Sequence, residues 1–276
     1  MSVVTVTGSS GRVGAAVAET LAAAGWTVQG VDRAPGPWTG VVGDLRDDRT
    51  RRAALRDATT VVHAAALHAP HVGRASEVDF RTINVDATAG LLEDAAAAGV
   101  RRVVYISSTS VYGDALVPVD RAVWVDESLR PHPRDIYDET KLAAEDLVAA
   151  STIGSVTLRI ARCFPEPLPV LATHLLHRAV GLDDVATATA LAVTSTEVTG
   201  TMNIAGPYFF QRSDCPALHV DAPRLIAARA PVVAAAFHSR GWPLPPTIDR
   251  VYDSSAAMNA LGYRPAWDVL SLLRGR

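Results

Sequence analysis

The chain has 276 residues, 49% hydrophobic and 20% charged, a globular composition with too much apolar content for a disordered segment. Its 26 Lys and Arg stand against 29 Asp and Glu, a net charge of −3, which excludes a globally basic nucleic-acid binder and gives no polybasic membrane surface. Cys163 and Cys215 are too few for a disulfide framework and lack the spacing of a zinc site. No run approaches the roughly 20 apolar residues of a membrane span. The first residues lack the charged-then-apolar order of a signal peptide, so a cytoplasmic protein is expected.

In chain order, Val3 to Thr7 reads as a strand ending at a glycine loop, Arg12 to Ala24 as a helix stopped by Gly25, and Thr27 to Val31 as a second strand. Val41 and Val42 form a short third. Asp48 to Asp57 reads as a helix, Thr59 to Ala64 as a buried strand, and Glu77 to Ala98 as a long helix closed by Gly99. Arg102 to Ser107 is a strand, Ile136 to Ala150 a helix and Val156 to Ala161 a strand. Short apolar strands alternating with helices predict an α/β fold with a doubly wound parallel (Rossmann) sheet. Beyond Arg162 prolines accumulate and the pattern weakens, leaving short helices at Leu182 to Val193, Ala222 to Ala230 and Ser254 to Leu261 and a strand near Met202 to Ile204. The expected organisation is a dinucleotide-binding domain over 1–162 carrying the catalytic residues. Residues 163–276 then form mainly a small C-terminal substrate lobe, with about 182–206 returning to the sheet.

Gly8, Gly11 and Gly14 fall between the first strand and first helix in a G-x-x-G-x-x-G spacing. Glycines there permit a tight turn, close approach of a pyrophosphate to Ser10, Arg12 and Val13, and close helix–strand packing, with the phosphates on the helix N-terminus. Asp32, 18 residues beyond Gly14, ends the second strand where a carboxylate accepts from ribose hydroxyls and repels a 2′-phosphate. The expectation is NAD rather than NADP, although neighbouring Arg33 is the kind of cation that holds that phosphate. Asp44 either bonds adenine, with Leu45 against the ring, or caps the following helix.

Ser107 to Gly113 follows a central strand, at the edge where open α/β sheets bind ligands. Tyr137 and Lys141 are four apart on a helix, so phenol and ammonium share a face. An ammonium nearby lowers the phenol pKa and prepares Tyr137 to exchange a proton with a substrate oxygen, which a strand-end serine also holds.

With these residues in hand, the chain resembles the extended short-chain dehydrogenase/reductase family, in its nucleotide-sugar epimerase and dehydratase branch. The resemblance rests on the glycine loop, Val62 to Ala66, Asn84 to Thr88, Ser107 to Gly113 and Tyr137 to Lys141, with weaker echoes at Leu182 to Ala186, Asn203 to Gly206 and Leu261 to Pro265. It implies that Ser108, Tyr137 and Lys141 are catalytic, with Lys141 also holding the nicotinamide ribose. It implies further that Ala64, Ala65 and Ala66 pass beneath the cofactor, that Ile106 and Cys163 border it, and that Asn84 supports the site through water. The implied chemistry is hydride transfer between NAD and a secondary alcohol or ketone, in a homodimer.

Two departures narrow this. Thr109 and Ser110 stand where the dehydratases carry an Asp-Glu pair, which removes the acid and base for eliminating water. Only residues 168 to 182 separate Pro167 from Asp183, short for a segment that closes over a nucleotide. The stretch Arg159 to Pro167 is similar instead to uronate dehydrogenases, which act on a free sugar acid. Arg162 or Arg178 is then a candidate to hold a carboxylate or phosphate. Thr109 and Ser110 are expected beside the substrate. The small-molecule substrate is expected to be a sugar or sugar derivative, handled by a dehydrogenase or reductase; the alternatives are a nucleotide-sugar 4-epimerase with retained NAD and a non-catalytic NAD-binding regulator. His63, His68 and His71 lack the partners of a metal site, and no metal is expected.

Overall fold

The β-branched runs become strands in the computed structural model, which describes residues 2–274. They are β1 (Val3–Thr7), β2 (Thr27–Asp32), β3 (Thr39–Val42), β4 (Ala58–His63), β5 (Arg102–Ser108), β6 (Val123–Val125), β7 (Gly154–Ile160), β8 (Gly200–Ile204) and β9 (Arg250–Tyr252). Seven form one sheet in the order β3-β2-β1-β4-β5-β7-β8, every pairing parallel. Both faces are covered, which is why the strands read as continuous apolar runs rather than alternating ones. Helices Arg12–Ala23 and Leu182–Thr194 pack on one face against Val4, Val6, Val104 and Ile106. Helices Ala87–Ala97 and Ile136–Ala150 cover the other against Val61, Val103 and Tyr105. The doubly wound Rossmann arrangement is thus the one expected. No helix among the described residues is long and apolar enough to cross a membrane.

Differences from the sequence-based elements have local causes. The expected helix over 77–98 is three pieces: α-helical Glu77–Arg81, a π-helical turn Thr82–Asp86, and α-helical Ala87–Ala97. Hydrophobic spacing does not register one wide turn, and such turns are frequent at functional sites. The helix over 222–230 is the second half of a longer stretch, Cys215–Arg229, broken at Asp221 two residues before Pro223. Strands β6 and β9 pair in parallel as a separate small sheet. Three residues each, 125 positions apart between Val125 and Arg250, are too few for periodicity to reveal. That sheet borders a second apolar cluster built from Ala172, Leu175, Leu176, Leu218, Ile226 and Phe237, joined by Ala122 and Val251.

Candidate functional site

The connections leaving β1 and β4 diverge, opening a crevice at the carboxyl ends of the strands. A cavity of about 700 Å³ occupies it. Its wall includes Gly8, Gly11, Arg12, Val13 and Gly14; Asp32, Arg33, Asp44 and Leu45; and Ala64, Ala65 and Ala66. Ile106, Ser108, Thr109, Ser110, Tyr137, Lys141, Arg162, Cys163 and Arg178 complete the set of expected residues that line it. Ser10 and Asn84 stand outside that wall.

The glycine loop is held by its own backbone. Gly8 has φ +71°, and a side chain there would meet Ala65 N at 2.9 Å; one at Gly14 would lie 2.1 Å from Gly8 O. Helix Arg12–Ala23 starts at Gly11 with no side-chain cap, leaving its first amides for a ligand. Asp32 accepts the Ser10 N–H at 3.1 Å and the Ala34 N–H at 3.1 Å, which ties the loop to the end of β2 and leaves lone pairs free. Ser10 Oγ donates to Ala34 O at 2.6 Å. A cradle that a Cβ would fill, an uncapped helix and a carboxylate with spare lone pairs together fit the pyrophosphate and adenosine ribose of NAD. The cap of helix Asp48–Ala54 is Asp47, so Asp44 is not that cap; its carboxylate pairs with Arg46 at 2.7 Å.

Beneath the cavity lies a directed chain of hydrogen bonds. Thr88 Oγ1 donates to Asn84 O at 2.8 Å, so His63 Nε2–H donates to Thr88 Oγ1 at 2.8 Å. His63 Nδ1 then accepts the Thr7 hydroxyl at 2.7 Å, while Thr7 Oγ1 accepts the Ala64 and Ala65 amides, each at 3.1 Å. Burial, aided by the Lys141 charge, pushes the His63 pKa down to about 3, which keeps it neutral in this role. Asn84, 1% exposed, accepts the Leu67 N–H at 2.7 Å and donates to Leu67 O at 2.9 Å and Thr140 Oγ1 at 3.1 Å. The π-helical turn thus lets Asn84 clamp the segment after Ala66, with protein groups as its partners.

Ser108, Tyr137 and Lys141 meet on the cavity wall. Ser108 Oγ accepts the Ser110 N–H at 3.1 Å, leaving its own O–H to donate. Lys141 Nζ donates to Ile106 O at 2.7 Å and sits 4.1 Å from the Tyr105 ring centroid. Burial pushes Lys141 down to about 7, against the pull of Glu145. Tyr137 differs from the sequence-based expectation: burial pushes its pKa up to about 12, offset only in part by the Ser108 and Ser110 hydroxyls. The ammonium is turned to Ile106 and Tyr105, so it does not outweigh the loss of water around the phenol. Among the described residues Ser110 Oγ is buried without a hydrogen-bond partner, and its nearness to Tyr137 and Asp138 only partly offsets the rise in pKa that burial imposes on both.

Several residues here had no expected role. Glu145, one turn beyond Lys141, bonds the Ser107 hydroxyl and grips Arg159 through both oxygens, Oε1 accepting from Nε at 3.0 Å and Oε2 from Nη2 at 2.6 Å. Arg159 in turn covers the Tyr112 ring at 4.9 Å, and Tyr112 donates to Asn203 at 2.9 Å. The i,i+4 spacing of Lys141 and Glu145 was the available signal; Arg159, inside an apolar strand, was another. Small sheet β6–β9 brings Arg250 and Tyr252 to the cavity wall beside Arg162 and Arg178. Cys163 O accepts from Arg12 at 3.2 Å, and burial pushes the Cys163 thiol up to about 11, so it is no nucleophile at neutral pH.

The model of the NAD dependent epimerase/dehydratase family matches residues 4–165. Among curated proteins, a 3-beta-hydroxysteroid dehydrogenase of Mycolicibacterium neoaurum is 35% identical over 157 residues, covering 52% of this chain and 42% of that protein. A UDP-glucose 4-epimerase of Streptomyces lividans is 31% identical over 168 residues, covering 55% of this chain and 50% of that one. The matched part of the chain therefore spans about half the length, or less, of these relatives. A short-chain dehydrogenase/reductase superfamily protein from Agrobacterium tumefaciens, solved with bound NAD, superposes with a TM-score of 0.75 at 23% identity, covering 99% of this chain and 95% of that one, a likeness of fold.

Proposed function

This chain belongs to the NAD dependent epimerase/dehydratase family, and we propose on that premise that it transfers a hydride at a secondary alcohol or ketone carbon of a sugar-like substrate. The observation that carries this is one cavity that brings the glycine loop and Asp32 together with Ser108, Tyr137 and Lys141. The cofactor is NAD, which supplies the hydride acceptor or donor when bound. The amides after Gly11 hold its pyrophosphate, Asp32 its adenosine ribose and Lys141 its nicotinamide ribose. Ser108 donates to the substrate oxygen, and Tyr137 Oη exchanges the proton at that same oxygen. A phenol kept protonated by burial is ready to give its proton to a ketone; oxidation requires it to lose that proton first, so the oxidative direction speeds as pH rises.

Single-ligand pockets run to about 300–1,000 Å³. A cavity of about 700 Å³ that takes a dinucleotide leaves room for a small substrate rather than a second nucleotide. Arg162, Arg178 and Arg250, three of the six arginines on its wall, suit a sugar derivative better than an apolar steroid. We place the enzyme in the cytoplasm, in carbohydrate metabolism, as a homodimer. The test mixes purified protein and NAD with aldoses, uronates, UDP-sugars and a 3β-hydroxysteroid. Growth of NADH absorbance with a free sugar or sugar acid supports the reading. Conversion of a UDP-sugar without NADH makes the protein an epimerase, and NAD binding with no turnover at all makes it a regulator.

A further inference from the structure

The arginines at the substrate end form a wall assembled from three distant stretches of chain. Arg162 N–H donates to Arg178 O at 3.1 Å, and His177 Nδ1 meets Arg250 O at 2.7 Å. Glu166 accepts from Arg162 Nε at 2.9 Å, and Asp249 accepts from Arg250 Nε at 3.0 Å. Among the described residues Arg178 has no such close carboxylate: Asp249 is 4.0 Å from its Nη1, its Nε is buried without a partner, and its short bond, 2.6 Å, runs from Nη2 to His174 Nε2. A guanidinium only donates, so His174 Nε2 is the acceptor and the ring proton is on Nδ1, facing Glu166. His174 is therefore neutral. Three cations face two carboxylates, an excess of one positive charge, and it falls on Arg178, whose side chain is 34% exposed.

We propose that this wall is an anion site, that Arg178 reads a carboxylate or phosphate group on the substrate, and that His174 is the positioning residue that holds Arg178 toward it. The inference deepens the reading of the cavity as a sugar-type oxidoreductase site and rests on it. A planar fork with an unspent charge is suited to such groups. The surroundings agree: burial above all presses the Arg178 pKa down against the pull of Asp249, and the charges of Arg250 and Arg162 add to it, a strain that a closer anion relieves.

The test measures binding, by calorimetry, of D-glucuronate, D-glucose 6-phosphate and neutral D-glucose to the NAD-loaded protein. One of the two anions should bind about tenfold or more tighter than glucose, and which one it is separates carboxylate from phosphate. Arg178→Gln should erase that preference without changing the affinity for NAD. His174→Ala should cost most of the same factor, and His174→Gln, which restores an acceptor for Arg178, should recover much of it. Asp249→Asn removes a competing carboxylate and should tighten the anion, a gain that misfolding does not imitate. Equal binding of glucose and both anions, or an anion preference untouched in Arg178→Gln, overturns the proposal. An Arg178-dependent preference without hydride transfer on any substrate keeps the anion site and sinks the functional reading. Turnover that favours neutral sugars does the reverse.

Discussion

Thr7→Val tests whether the hydrogen-bond chain beneath the cavity fixes the floor of the site. Valine keeps the β-branched shape of a β1 residue and deletes one oxygen, which serves three partners: His63 Nδ1 at 2.7 Å and the Ala64 and Ala65 amides at 3.1 Å each. His63 is 2% exposed, so its Nδ1 is left unpaired away from water, at a cost of about 1–3 kcal/mol. The two part-buried amides lose about 0.5–1.5 kcal/mol each, and the added buried methyl returns about 1 kcal/mol. The net expectation is a loss of about 1–5 kcal/mol, centred near 3. In urea this is a midpoint lowered by about 1 M if the slope is about 3 kcal/mol/M, with the slope itself unchanged. NAD affinity should fall as well, because Ala64 and Ala65 line the cavity. Thr7→Ser, which retains the hydroxyl, should recover most of both. A Thr7→Val protein within about 0.5 kcal/mol of the parent, the ordinary range for inconsequential substitutions, would refute the reasoning.

Four further outcomes follow from the same geometry. Burial holds His63 and His177 at pKa values of about 3, well below the ordinary histidine value, so between pH 6.5 and 5 the unfolded chain binds protons that the native one does not. Unfolding free energy should therefore fall on acidification through that window by about 1.5 kcal/mol for each of these two histidines, and His63→Gln should remove its own share, about 1.5 kcal/mol, of the fall. Lys141→Met deletes a buried ammonium, so thermal stability should hold or rise while turnover falls by about 100-fold or more; unchanged turnover removes Lys141 from the mechanism. Arg159→Met strands Glu145, whose side chain is 6% exposed, and should cost about 3–5 kcal/mol, with the double change Glu145→Leu/Arg159→Met closer to the parent, as read by a double-mutant cycle. Gly14→Ala places a Cβ 2.1 Å from Gly8 O, so NAD binding measured by calorimetry should be abolished or nearly so.

What the sequence carried and what it did not follows from how local each signal is. The glycine loop, the strand-end serines and the Tyr137–Lys141 spacing each lie within a few residues, and the structure brings all three to one cavity. The strand runs were legible because a sheet covered on both faces needs continuous apolar residues. Arg250 reaches that cavity only through the three-residue pairing of β6 and β9, which no local pattern announces. Arg162 and Arg178 are alternatives in the sequence, and the bridge between Arg162 and Ala179 brings both to the wall. The phenol of Tyr137 moves against expectation because spacing says which groups share a face, not how much water each loses. The sequence puts Asn84 within a single helix over 77–98, but its clamp on Leu67 is made from a π-helical turn that apolar periodicity passes over.

The central claim is that Tyr137 exchanges the proton while NAD takes or gives the hydride. Tyr137→Phe removes one buried oxygen, and its most direct test is single-turnover NADH formation or consumption with whichever substrate of the panel the parent protein turns over. The account predicts unchanged folding and NAD affinity, with a rate lower by about 100- to 10,000-fold. A Tyr137→Phe protein that transfers hydride at the parent's rate would contradict it.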